Sequence, residues 1–173
     1  MRLYLIRHAD PDYENSTITE GGHKEAEALA DKLKDLDINK IYCSPLGRAQ
    51  DTMKYTADIL NIKPETEAWL QEIYEPLKMD DEKWDSLAAW DLPGEEIRKN
   101  KKLLNQKDWN QHPLFQDKAE DIKKVYEKLK IKSDDFLKRQ GYERINGRYK
   151  INESSEDQIA VFAHAGLGIC WLS

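Results

Sequence analysis

The chain predicts an α/β fold, a three-layer α/β/α sandwich with a mostly parallel central sheet and a helical and loop insertion. Three observations carry that expectation. Short continuous apolar runs recur at residues 2–9, in "KIYCSP" and in "QIAVFAHAG", as in strands buried on both faces. Amphipathic helical patterns follow the first two runs, and such strand–helix alternation builds parallel sheets. At 173 residues the chain is long enough to bury its own core, so residues 1–173 are read as one domain.

The elements follow in order. The first run, "LYLIRHAD", stops on Arg7 and His8, and a turn-rich loop, "DPDYENSTITEGG", comes next. From Lys24 the pattern is helical, with Ala26, Leu29, Ala30, Leu33 and Leu36 on one face. After the second strand, Ser44 stands as an N-cap and Pro45 as the first residue of a helix through Leu46, Ala49, Met53, Ala57 and Leu60. The apolar segment in "AWLQEIYEP" is a candidate third strand ending on Glu72. Residues 75–118 are polar, tryptophan-dotted and broken by Pro76, Pro93, Gly94 and Pro113. They read as loops and short helices above the sheet, opening an insertion that reaches to about residue 150, with Trp84, Trp90 and Trp109 as its small core. Ala119 to about Gln140 is helical through Ile122, Val125, Tyr126 and Leu129, with Gly141 as its stop. In "YERINGRYKI", Asn146-Gly147 marks a type I′ hairpin. The last apolar strand ends on His164, and "GLGICWLS" then begins a helix with neither cap nor polar tail, which predicts further elements after Ser173 in the native chain.

Composition narrows the function. A net charge of −6 and a pI near 5.3 argue against a general nucleic-acid binder. A few local arginines can still receive a small anion. Cys43 and Cys170 have no metal-type spacing and fit free thiols in a reducing cytoplasm. There is no signal peptide pattern and no apolar stretch of membrane-spanning length, so a cytoplasmic location is expected.

Two histidines, His8 and His164, thus stand at the carboxyl ends of buried strands, where open α/β sheets bind ligands. Arg48 lies in the first turn of the second helix, the wrong end for a cation unless an anion binds there; pairing with Asp51 is the plainer alternative. Glu72 is a carboxyl group within reach of this crevice, with Glu67 and Glu75 as rivals for its role. Together, Arg7 and Arg48 can grip phosphoryl oxygens, His8 can attack phosphorus, His164 can stabilise the equatorial oxygens, and Glu72 can protonate the departing alkoxide. Two arginines would hold His8 neutral. Asp10 and Asp12 suggest a metal site with His8, but no further cluster completes one, so no metal and no cofactor are expected. His23 and His112 read as ordinary surface residues.

In order along the chain, "LIRHAD", "TITEGGHKEAEALADKL", "IYCSPLGRAQDT", "LQEI" and "VFAHAG" resemble the motifs of the histidine phosphatase superfamily, the phosphoglycerate-mutase-like proteins. The resemblance implies His8 as the phosphorylated nucleophile, Arg7, Arg48 and His164 as the phosphate pocket and Glu72 as the proton donor. It also brings Asn15 or Ser16 toward the substrate. Ala9 and Ala165 depart from the pattern by replacing glycines. The expected activity is metal-independent phosphomonoester hydrolysis on a small phosphorylated metabolite, without nucleic acid or membrane, and with a homo-oligomer left open. The alternatives are a phosphoglycerate-type mutase and a non-catalytic phospho-ligand-binding protein.

Overall fold

The computed structural model describes residues 1–74, 76–81, 84–88, 91–99, 115 and 118–173. Glu75, Trp90, Trp109, His112 and Pro113 lie outside them. The chain opens with β1 (Arg2–Arg7), the short antiparallel pair β2 (Pro11–Asp12) and β3 (Thr17–Ile18), α1 (Glu20–Leu33), β4 (Ile38–Cys43) and α2 (Gly47–Leu60). There follow β5 (Glu65–Thr66), a 3₁₀ turn (Ala68–Leu70), β6 (Pro76–Asp81), β7 (Trp84–Ala88) and α3 (Gly94–Lys99). It ends with α4 (Ala119–Arg139), β8 (Tyr142–Ile145), β9 (Arg148–Ile151), β10 (Gln158–Ala163) and α5 (Ala165–Leu172).

The central sheet has the order β1-β10-β4-β5 and every pairing in it is parallel. Side chains alternate across it, as the two-residue period of a strand requires. Tyr4, Ile6, Ile41, Cys43, Ala160 and Phe162 pack with Leu33 of α1 and Ala49, Met53 and Ala57 of α2. On the opposite face Tyr42 meets Phe136 of α4 edge-on at 4.9 Å, and its hydroxyl receives Gln140 Nε2 at 3.2 Å. There too α5 lies against β1, where a β-carbon on Gly168 would stand 3.2 Å from Leu5. These two packings make the three layers. Each large apolar chain buried here, Phe162 among them, contributes roughly 1.5–3 kcal/mol of transfer free energy.

Several boundaries differ from the sequence expectation. α1 starts at Glu20, not Lys24, because Thr19 caps it by accepting the Gly22 N–H at 3.0 Å. Its two glycines therefore sit in the first turn. α2 starts at Gly47, with Leu46 at the cap position and no side-chain cap. Ser44 and Pro45 remain outside, since Ser44 Oγ is engaged elsewhere. "AWLQEI" is no third strand: two residues, β5, pair with β4 and the chain then coils through the 3₁₀ turn to Glu72. β6 and β7 form an antiparallel pair, so the inserted stretch contains a hairpin as well as the expected short helix, α3.

Two compact units divide the chain, residues 1–72 with 130–173, and residues 73–129. The first holds the parallel sheet, His8 and His164; the second holds β6, β7 and α3. The Asn146-Gly147 turn carries positive φ at both residues, 50° and 78°, as a type I′ hairpin requires. Gly141, at φ 92°, ends α4. Both cysteines are free thiols; burial pushes Cys43 up to about 12, and burial followed by the charge of Glu72 raises Cys170. No helix among the described residues is long and apolar enough to cross a membrane.

Candidate active site

The meeting of the two histidines follows from strand register. Arg7 pairs with Ala163 on the last rung between β1 and β10, and the His8 N–H donates to the Ala163 carbonyl at 3.1 Å. The next residue on each strand is a histidine, and the rings stand 5.2 Å apart with a 55° tilt. Both are buried. β4 ends beside them, its Ser44 N–H donating to Phe162 O at 2.9 Å.

Each imidazole is held by a defined partner. His8 Nδ1 lies 2.7 Å from the Ala9 carbonyl. A carbonyl only accepts, so Nδ1 carries the proton and Nε2 keeps its lone pair. His164 Nε2 lies 2.8 Å from Ser44 Oγ, which also accepts the Leu46 N–H at 3.2 Å. Ser44 Oγ can accept the Leu46 N–H and still give its proton to Nε2, and in that arrangement His164 Nδ1 is the donor nitrogen. Nδ1 is buried and has no hydrogen-bond partner among the described residues. Ser44 is therefore the residue that orients His164 rather than a helix cap. Its spacing from Arg48 is legible in "CSPLGR", but its partner is not.

The electrostatics suit an anion. Burial, opposed by the Ala9 hydrogen bond and reinforced by Arg48 and Arg7, lowers the pKa of His8. Burial, then Arg48, His8 and Arg7, brings His164 down to about 3. The expected lowering of His8 is thus present, though burial leads and the arginines follow. Both rings are neutral near pH 7. Neither Arg7 nor Arg48 has a carboxylate partner among the described residues, and Arg48 Nε is buried without any hydrogen bond. Asp51, the alternative partner of Arg48, instead accepts the Thr17 hydroxyl. The Arg48 guanidinium lies 5.4 Å from the centre of the Tyr13 ring, an exposed side chain that nothing in the sequence marked.

The remaining residues are placed as follows. Glu72 Oε1 accepts the Leu167 N–H in the first turn of α5 at 3.0 Å, which sets its carboxyl near the start of the helix that follows His164. Its rival Glu67 is committed to Arg139 and to Trp69 Nε1. Asn15 is exposed, and its amide is tied to Asp12 at 2.8 Å. Ser16 has φ 56°, and its carbonyl lies where a β-carbon on Gly47 would be, the residue before Arg48. Thr52, buried at 1% exposure, accepts the Ala9 N–H at 2.9 Å and donates to Arg48 O at 2.7 Å. It ties the loop after His8 to the helix that carries Arg48. Ala9 and Ala165 both avoid positive φ, so alanine fits either place without backbone strain. His23 is half-buried and bonded to the Tyr55 hydroxyl at 2.9 Å, rather than a free surface residue. Asp10 accepts the Thr19 hydroxyl, and no cluster of three metal-ligating residues occurs among the described residues.

Among the described residues, a parallel sheet thus ends adjacent strands on two buried histidines, and the two arginines that act on them have no carboxylate partner. The model of the histidine phosphatase superfamily, branch 1, matches residues 3–172, and the chain belongs to that superfamily. It is 38% identical over 79 residues to the 2,3-bisphosphoglycerate-dependent phosphoglycerate mutase of Thermoplasma acidophilum, a match covering 40% of each. The curated relatives it matches are spanned over 38% to 56% of their own length. Among solved structures, mycobacterial glucosyl-3-phosphoglycerate phosphatase aligns with 99% of this chain and 77% of its own, at TM-score 0.56 and 17% identity. Phosphoserine phosphatase of Entamoeba histolytica, bound to 3-phosphoglyceric acid, aligns with 98% and 75%, at TM-score 0.54 and 18% identity. At such identities the structures establish the fold.

Proposed function

We propose that the protein hydrolyses phosphomonoesters of small metabolites without a metal, through a phosphohistidine on His8. The observation that carries this reading is the His8 tautomer: Nδ1–H is spent on Ala9, so Nε2 is left as a nucleophile beside His164, with Arg7 and Arg48 free of carboxylate partners among the described residues. Nε2 forms a bond to phosphorus as the ester P–O bond breaks. Arg7, Arg48 and the His164 Nδ1–H neutralise the charge on the equatorial oxygens. Glu72 gives its proton to the leaving alkoxide. The resulting carboxylate then takes a proton from water, which attacks the phosphohistidine; the P–N bond breaks and inorganic phosphate leaves. Asn15 and Ser16, on the loop packed against Gly47, are assigned to the substrate side.

The test is turnover of p-nitrophenyl phosphate in EDTA, with inhibition by vanadate. Full activity of His8→Ala, or complete loss in EDTA, overturns the mechanism. The likeness to a phosphoglycerate mutase supports a second reading, in which the phosphoryl group returns to the substrate. Release of phosphate from 3-phosphoglycerate without formation of 2-phosphoglycerate favours the phosphatase. Acid-labile labelling of His8 without turnover marks a phospho-ligand-binding protein instead.

A further inference from the structure

The peptide unit joining Ala9 to Asp10 is bonded at both ends. Its carbonyl accepts the His8 Nδ1–H at 2.7 Å, and its N–H donates to Glu25 Oε2 at 2.9 Å. The two groups belong to one conjugated amide. An anionic acceptor on the N–H therefore draws positive charge there and leaves the carbonyl oxygen more negative, as in any chain of hydrogen bonds.

The start of α1 is shaped to keep this unit in place. The Thr19 N–H donates to the Asp10 carbonyl at 2.9 Å, and the Thr19 hydroxyl donates to Asp10 Oδ2 at 2.7 Å. A β-carbon on Gly22 would stand 2.5 Å from the Asp10 carbonyl oxygen, so glycine lets the helix close on it. Glu25, one turn further along α1, has no salt-bridge partner among the described residues, whereas its neighbour Lys24 pairs with Glu20. The charged or titratable groups acting on His8 are Arg7 on its own strand, Arg48 on α2 and His164 after β10. The two arginines withdraw basicity from the ring. Glu25 is the carboxylate bonded to the same ring through a single amide.

We propose that Glu25 is a positioning residue for His8, acting through the Ala9–Asp10 peptide to hold the Nδ1–H tautomer and to direct electron density onto Nε2. The arrangement is that of a carboxylate behind a histidine, with a peptide group inserted between them. Its catalytic consequence rests on His8 being the nucleophile; the tautomer assignment does not.

The experiment uses the full chain labelled with ¹⁵N-histidine, as wild type, Glu25→Gln and Glu25→Ala. Long-range ¹H–¹⁵N spectra give the His8 tautomer and its titration midpoint, and p-nitrophenyl phosphate kinetics are read in parallel. Glutamine keeps an acceptor for the Asp10 N–H without the charge. It is expected to keep the Nδ1–H form, to shift the His8 midpoint to lower pH, and to lower kcat roughly tenfold with KM little changed, the scale of losing an outer partner of a working imidazole. Alanine also removes the acceptor, so the Nε2–H form becomes populated and kcat falls further. If alanine fails to fold, glutamine alone decides. An unchanged tautomer and midpoint in every folded variant overturns the proposal, even where kcat falls. Absence of turnover in the wild type would instead defeat the phosphatase reading, and the spectra would still judge Glu25.

Discussion

Replacing Thr52 by valine isolates how the loop after His8 is held. The two side chains match in shape and branching, so packing and helix propensity change little. What is lost is one hydroxyl, which accepts the Ala9 N–H at 2.9 Å and donates to the Arg48 carbonyl at 2.7 Å. The Arg48 carbonyl sits four residues before Thr52 in α2 and keeps its ladder position. The Ala9 N–H has no such alternative. Stranding a donor in a mostly buried place costs about 1–3 kcal/mol. Ala9 is half-buried, which places the expected loss near 1–2 kcal/mol, or about 3–6 °C in Tm for a chain of this size. The activity effect is larger, because the freed peptide follows His8 directly. Misplacing a nucleophile by about 1 Å costs on the order of a hundredfold, so kcat should fall between about tenfold and a hundredfold. Urea unfolding and p-nitrophenyl phosphate turnover measure the two effects. Thr52→Ser is the control: it keeps the hydroxyl, loses about 1 kcal/mol through one missing methyl group, and stays active. Valine matching the wild type in both assays, or serine losing as much activity as valine, would refute the reasoning.

Glu72→Gln should lower kcat by roughly 10²–10⁴-fold, the worth of a general acid, while the glutamine oxygen still accepts the Leu167 N–H and the fold persists; turnover and a thermal melt check both. His164 has a folded-state pKa of about 3 against an ordinary 6.5, so the unfolded chain takes up the proton first. Its contribution to stability is whole above about pH 6.5 and is lost as pH falls toward 3, at up to about 1.4 kcal/mol per pH unit. Urea midpoints at pH 7.5 and 5 measure this, and His164→Gln should flatten the slope. Gly22→Ala drives a β-carbon to 2.5 Å from the Asp10 carbonyl oxygen and should lose both stability, by about 1–3 kcal/mol, and activity. Gly147→Ala, at φ 78° with open space around it, should cost about 1–2 kcal/mol and leave turnover unchanged, as the same two assays will tell.

The class of fold and the chemistry of the site were written in local signals. Apolar runs marked β1, β4 and β10 because a parallel sheet buried on both faces needs continuous hydrophobic strands. The N-G pair announced the β8–β9 turn because few residues accept positive φ in succession. Arg7, His8, Arg48 and His164 were legible as residue types at strand and helix ends, whereas Glu72 was expected to end a third strand and lies in coil after the 3₁₀ turn. Helix starts were less so. A capped turn containing two glycines reads as loop, and Thr19 reveals itself as a cap only when Gly22 folds back to it.

Neighbourhood was the part that local signals could not contain. That His8 faces His164 depends on β10 inserting between β1 and β4, a pairing of segments from opposite ends of the chain. Ser44 looked like a cap because its nearest partners in sequence are N–H groups at the helix start; besides the Leu46 N–H it meets His164, which follows the neighbouring strand β10. Thr52 closed the quoted "CSPLGRAQDT" motif but was given no role, and Tyr13 and Glu25 were given none either, since an ordinary threonine, tyrosine or glutamate acquires a role only from what tertiary packing sets within 3–6 Å of it. Local sequence set which residue types stand at the ends of β1, β10 and α2. Only the folded chain sets which His8 nitrogen keeps its lone pair, because a tautomer is fixed by hydrogen bonds, and those are made by the fold.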